Sequence, residues 1–222
     1  MPNDEFQEVR RRLRERRDPR AAELAKRALG SPHRFHGVVP PEVRSIAREV
    51  ARRHRGDRDL EPLLGLAGRL WKSPWHEERW VAIHMVASLG RRLSTDHWTI
   101  LKDWIRGVRS ADHGDGIAVE LLGRLVKRDR SWCRVLKHWA LSKNPWERRA
   151  AVMATVLRAR HMGDAEAALQ VCEPLMRDRA PEVREAVGAV LREAVASDPA
   201  LGRAFLERWR GKAPDALLAL AE

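Results

Sequence analysis

Apolar or small side chains fall four, five and nine places after a glutamate at four points of the chain. They are Ile46, Ala47 and Ala51 after Glu42; Val81, Ala82 and Val86 after Glu77; Ala151, Val152 and Val156 after Glu147; and Ala186, Val187 and Leu191 after Glu182. That spacing lines up one face of a helix. Each glutamate is followed two places on by Arg44, Arg79, Arg149 or Arg184 and preceded within three residues by Pro41, Pro74, Pro145 or Pro181, so one helix start is written four times. The copies keep a 35-residue pitch, and the pitch calls for a fifth at residue 112. There the chain reads Ala111-Asp112-His113-Gly114-Asp115-Gly116-Ile117. Ile117 and Leu121 stay in register, but two carboxylates and two glycines replace Glu-x-Arg.

The pattern predicts helices near 4–17, 19–29, from Pro41, then 58–71, 75–92, 96–109, 112–127, 131–141, 145–160, 164–177, 181–196, 199–210 and 213–221. Residues 19–29 read as the partner of the opening helix, and 30–40 as the longest irregular stretch. Turns this short leave no room for a linker. The expected architecture is a single all-α domain over 1–222, an α-solenoid whose paired helices complete each other's core.

With 43 Lys and Arg against 31 Asp and Glu, the chain carries +12, which points to a polyanionic partner, nucleic acid first. Arginine dominates, and its fork suits phosphate, although a high-GC coding sequence would favour Arg as well. No apolar run approaches a membrane span and no signal-peptide segment is present, so a soluble, cytoplasmic protein is expected. Cys133 and Cys172 lack a CxxC partner and read as buried thiols. The histidines form no ligand set, so neither a metal nor another cofactor is expected, and His113 reads as an exposed bystander. Of the nine tryptophans most read as packing, Trp132 and Trp139 sharing a face; Trp146, beside Arg149, is the candidate DNA contact.

Two positions divide. Asp112 and Asp115 fit a helix cap, yet Asp115 also fits a catalytic anion approached across glycines that clear the surface. Arg149 fits a structural brace shared with its three siblings, yet Arg148 and Arg149 beside the broken repeat also suit a phosphate clamp.

The stretches Phe35-His36-Gly37-Val38-Val39-Pro40-Pro41-Glu42, Leu70-Trp71-Lys72-Ser73-Pro74, Asp115-Gly116-Ile117 with Leu121-Leu122-Gly123, Asn144-Pro145-Trp146-Glu147-Arg148-Arg149-Ala150-Ala151 and Ala186 to Glu193 occur in an order that resembles the AlkD family of DNA alkylation-repair glycosylases, over roughly residues 5 to 210. The resemblance implies HEAT-like repeats curved into a basic concave groove, a monomer bound to duplex DNA of the nucleoid, and hydrolysis of the N-glycosidic bond of cationic N3- or N7-alkylated purines. It also implies that Asp115 is the catalytic aspartate and Arg149 the phosphate contact. Where the family pattern has tryptophans lining the lesion cleft, this chain has Ala111 and Ala189. That departure implies a wider cleft and bulkier adducts, or a non-catalytic binder of DNA structure. A protein-binding helical scaffold is the third reading.

Overall fold

A computed structural model describes residues 2–56, 60–94 and 97–220, and every regular element among them is helical; the one β feature is an isolated bridge between Arg34 and Trp75. The chain is an all-α solenoid, and its contacts divide it into two compact units, Met1–His97 and Trp98–Glu222. No described helix is long and apolar enough to cross a membrane.

Unit 1 contains α1 (Pro2–Glu15), α2 (Pro19–Leu29), α3 (Pro40–Arg53), α4 (Glu61–Trp71), α5 (His76–Ala87) and a 3-10 turn at Gly90–Arg92. α5 packs against both α3 and α4, and α1 lies on all three. α2 corrects an expectation: it buries none of its side chains and is no core partner of α1. Its ends are local chemistry, with the Asp18 carboxylate accepting from Arg20 N and Ala21 N and Gly30 closing it at φ 54°. The irregular stretch before α3 is ordered by Glu77, whose buried carboxylate accepts from three successive backbone N–H groups, those of His36 (2.9 Å), Gly37 (2.7 Å) and Val38 (3.3 Å). Only glycine fits at 37: φ is +81°, and a Cβ there would lie 2.0 Å from the Asp18 carbonyl oxygen.

Unit 2 contains α6 (Trp98–Arg106), α7 (Ala111–Ile117), a π-helical turn (Ala118–Leu122), α8 (Gly123–Arg128), α9 (Trp132–Trp139), α10 (Pro145–Met153), α11 (Val156–Met162), α12 (Ala165–Cys172) with a 3-10 turn to Leu175, α13 (Pro181–Ser197), α14 (Pro199–Trp209) and α15 (Asp215–Ala219). α10 is its hub, touching α6, α7, α9 and α13. The predicted starts at 58 and 96 and the end at 221 lie outside the described residues. The single helix expected over 145–160 is two, parted at Ala154 and Thr155, where the Thr155 hydroxyl donates to the Val152 carbonyl at 2.7 Å.

All twelve apolar positions of the four signature helices are buried, as are Ile117 and Leu121 of the interrupted copy. Covering a side chain the size of Ile46 or Leu191 contributes about 1.5–3 kcal/mol, so the repeated stripe is what holds the helices to one another. Trp71, Trp104 and Trp139 are buried and the other six tryptophans half-buried. Trp98 leans on both Trp132 (4.8 Å between centroids) and Trp139 (4.5 Å), which do share a face. Cys133 and Cys172 are buried free thiols, and burial pushes both up from the ordinary cysteine range.

Candidate active site

The interrupted repeat supplies α7, and what the interruption builds is an ion pair with the next repeat. Asp115 lies in the middle of α7, not in a cap: the helix begins after Ser110, which makes no side-chain cap bond, so the capping-box expectation for Asp112 and Asp115 is corrected. Arg149, in the second turn of α10, meets Asp115 fork to fork. Its Nε donates to Oδ1 and its Nη2 to Oδ2, both at 2.7 Å. The Arg149 side chain is 8% exposed and that of Asp115 27%. Its Nη1 donates to the Glu182 carbonyl at the start of α13 and approaches the Glu185 carboxylate at 3.5 Å. Burial works against the charged form of Arg149, but the bonds to Asp115 and the charges of Asp115 and Glu185 win, and its pKa is raised.

The pair can be traced to sequence positions. Asp115 and Glu185 are 70 residues apart, two pitches, and so hold the same place in repeats on either side of the one that carries Arg149; Ala150 holds that place in between. One arginine is thus flanked by two carboxylates from neighbouring repeats, a relation that the pitch contains and that local motifs hide. Counting Asp115, Glu185 and Arg149 together, the cluster carries a net charge of −1. Glu185 is the member reaching outward, 65% exposed.

α10 is started by Asn144, whose Oδ1 accepts from Trp146 N (2.9 Å), with Pro145 in the first turn. Glu147 is buried and accepts from Arg106 Nε (2.6 Å) and the Ser142 hydroxyl; burial opposes its ionisation, but these two partners hold its pKa below the ordinary value. Arg148 corrects the expected two-arginine clamp. Its Nε and Nη2 hold Asp178 (2.6 and 3.0 Å), and its Nη1 donates to the Ser142 and Lys143 carbonyls (2.9 and 3.2 Å), so four of its five N–H donors are engaged, two of them bracing the turn before α10. Arg79, two places after Glu77, does that work in its own repeat, donating to the Ser73 carbonyl at 2.8 Å and lying over Trp71.

The glycines also read differently in space. Gly114 is buried, and a Cβ there would meet Val108 Cγ1 at 3.2 Å and Trp146 Cε3 at 3.7 Å. A side chain at 114 would press on Val108 and touch the half-buried Trp146 ring, so this glycine lies within the packing beside Asp115. His113, expected as exposed, is buried, with Nδ1 in contact with the Ser110 hydroxyl at 3.1 Å. Ala111 stands one turn before Asp115 on α7, and Ala189 one turn after Glu185 on α13; both are half-buried. The site therefore has a small residue one turn from each carboxylate on α7 and α13, with Arg149 between them on α10.

The DNA alkylation repair enzyme family profile matches residues 9–221. The fold resembles that of a protein from Enterococcus faecalis described as a predicted DNA alkylation repair enzyme, with TM-score 0.81 and 14% identity over 93% of this chain and 95% of that one. It also resembles smu.31 from Streptococcus mutans UA159 (TM-score 0.64, 19% identity, 82% and 96% covered). AlkD2 from Streptococcus mutans is similar to the same degree (TM-score 0.65, 19% identity, 80% and 87% covered). No curated protein sequence matches the chain.

Proposed function

Because the chain belongs to the DNA alkylation repair enzyme family, we propose that it binds duplex DNA and releases cationic N3- or N7-alkylated purines, with Asp115 as the catalytic carboxylate and Arg149 as its positioning residue. The observation that carries this reading is the fork-to-fork pair at the one repeat where the signature is broken. Alkylation makes the purine a cation and a good leaving group. Its glycosidic bond breaks with both electrons going to the base, the sugar is left as an oxocarbenium-like cation, and water adds at C1′ and gives up a proton to leave an abasic site. The reaction asks the protein chiefly for a fixed anion where positive charge builds on the sugar. Asp115 fits that demand. Its two oxygens are held in plane by one guanidinium, while the Glu182 carbonyl and Glu185 draw on the same guanidinium from the other side. The cluster keeps its excess negative charge and the carboxylate keeps an exposed edge. Ala111 and Ala189 leave space along α7 and α13, which favours bulkier adducts over methylated purines.

The test is single-turnover base release from duplexes carrying methyl and bulky N3 or N7 adducts. Asp115→Asn keeps the shape and loses the charge; we expect release to fall about 10²–10³-fold, with DNA affinity equal or slightly higher. Equal release by the two proteins would overturn the assignment. A second reading has its own support: with Arg149 buried and four contacts deep, the pair is also what a structural brace looks like. On that reading duplex DNA binds and no base is released from any cationic adduct.

A further inference from the structure

Arg148 and Arg149 have their donors engaged inside unit 2, which leaves open where a DNA phosphate would be held. Unit 1 has a cleft of about 690 Å³ between the C-terminal half of α3 and the chain after α5. Arg48, Arg52, Arg55 and Arg92 line it over an apolar floor of Ala51 and Leu89. Arg48 and Arg52 stand one turn apart on α3, and Arg55 follows just past its end, so all three reach the same cleft. Among the described residues none of these three pairs with a carboxylate: Arg48 and Arg52 donate only to their own helix, to the Arg44 and Arg48 carbonyls. The next residue along the chain makes the contrast. Arg53 points to another face and is bound by Glu8 at 2.6 and 2.8 Å.

The neighbours of the cleft keep it positive. A helix C-terminus presents carbonyls that repel anions, but Arg92 Nη1 donates to the His54 and Arg55 carbonyls at 3.2 Å each. Among the described acids, Glu49 beside Arg48 accepts from the Ser45 hydroxyl and pairs with Arg12 at 2.6 Å, and Glu5 is paired with His54 of the lining at 3.0 Å. Unit 1 is also the more basic for its size, with 21 Lys and Arg against 14 Asp and Glu in 97 residues. Arginine forks match phosphate oxygens. Arg48 and Arg52 stand about 6 Å apart along α3, a stripe along which the forks can meet successive phosphates of one strand.

We propose that this cleft holds the sugar-phosphate backbone of one DNA strand. The proposal rests on the DNA-binding part of the reading above and does not need Asp115 to be catalytic. The test compares neighbours on α3 in the full chain. Arg52→Gln and Arg53→Gln remove the same charge one residue apart, so a general charge effect would move both alike. Binding of an unmodified duplex is followed by anisotropy across a range of NaCl, with circular dichroism melts to confirm folding. Arg52→Gln should flatten the slope of log K against log salt by about 0.9 and the triple Arg48→Gln/Arg52→Gln/Arg55→Gln by about 2–3; Arg53→Gln should leave it unchanged. Equal slopes for the Arg52 and Arg53 variants overturn the proposal. So does a triple variant that loses pyrophosphate binding but keeps the wild-type DNA slope, which would assign the cleft to a free phosphate. A wild type that binds no duplex at low salt sinks both this and the repair reading. Wild type that shows the slope differences but releases no base leaves the anchor standing and removes only the glycosylase.

Discussion

Arg79 in unit 1 and Arg149 in unit 2 occupy the same place in the same repeat, 70 residues apart, and do different work. Arg79 holds the turn before its own helix and covers Trp71. Arg149 leaves the turn to Arg148 and reaches across repeats to Asp115. The cause stands 34 residues upstream of each arginine, Ser45 in one case and Asp115 in the other. Ser45 donates to Glu49 on its own helix and offers an arginine nothing to pair with. A repeat therefore fixes the backbone and the apolar stripe, and the function of a recurrent residue is set by what the neighbouring repeat puts opposite it.

The comparison breaks most sharply at Asp115. Removing its charge is expected to produce the 10²–10³-fold loss described above, whereas Ser45→Asp should release no base. Next in size is Arg149. Arg149→Ala leaves Asp115 without its fork, and breaking a fully buried pair costs about 3–5 kcal/mol; with Asp115 27% exposed we expect roughly 2 kcal/mol in urea unfolding. Arg149→Lys keeps the charge but not the two-point contact. If Arg149 positions Asp115, the lysine variant should recover stability and only part of the base-release rate. Full recovery of both by lysine would reduce Arg149 to a point charge, and Arg79→Ala should move stability without touching chemistry.

A third test sets one acid in each unit against pH. Glu78 in unit 1 and Glu147 in unit 2 both have pKa values below the ordinary 4.5; burial opposes this in each, but His36, Ser73 and Arg10 prevail at Glu78 and Ser142 and Arg106 at Glu147. A carboxylate depressed in the folded state adds stability above its unfolded pKa and loses it as pH falls through the folded one. The melting temperature should hold down to about pH 4.5 on this account and then drop. Glu147→Gln should shallow the drop, and an unchanged acid limb would remove Glu147 from the explanation.

The helical stripe was fully legible in the sequence because period and pitch are local facts: Val152 and Val187 had to be buried for the pattern to exist, and they are. The expected cap at Asp112 failed because Ser110 already stands where the chain turns into the helix. Asp115 was visible as an oddity, but its pairing was not, since the partner is 34 residues away and in another helix. The engagement of Arg148 depends on Asp178, 30 residues on, at no motif spacing. The π-helical turn at Ala118–Leu122 and the break at Ala154 have no signal in residue type; packing decides them. Glu185 could have been found: stepping by 35 from Ser45 gives Trp80, Asp115, Ala150 and Glu185.

That last residue supplies the smallest expected effect and the finest version of the comparison. Asp115 and Glu185 share a repeat position and an arginine, yet they are not equivalent. Asp115 receives two bonds of 2.7 Å, whereas Glu185, itself 65% exposed, receives a single contact at 3.5 Å. Exposed pairs of that kind contribute about 0–1 kcal/mol, so Glu185→Gln should barely move stability, and its coupling to Arg149 in a double-mutant cycle should stay below about 1 kcal/mol. Base release should remain within a few fold of wild type, because the carboxylate that the fork orients is untouched. Affinity for unmodified duplex should rise slightly if this face meets DNA, since one negative charge has been removed from it. If Glu185→Gln instead lost as much activity as Asp115→Asn, the two carboxylates would share the work on the sugar cation, and Arg149 would be holding a dyad open.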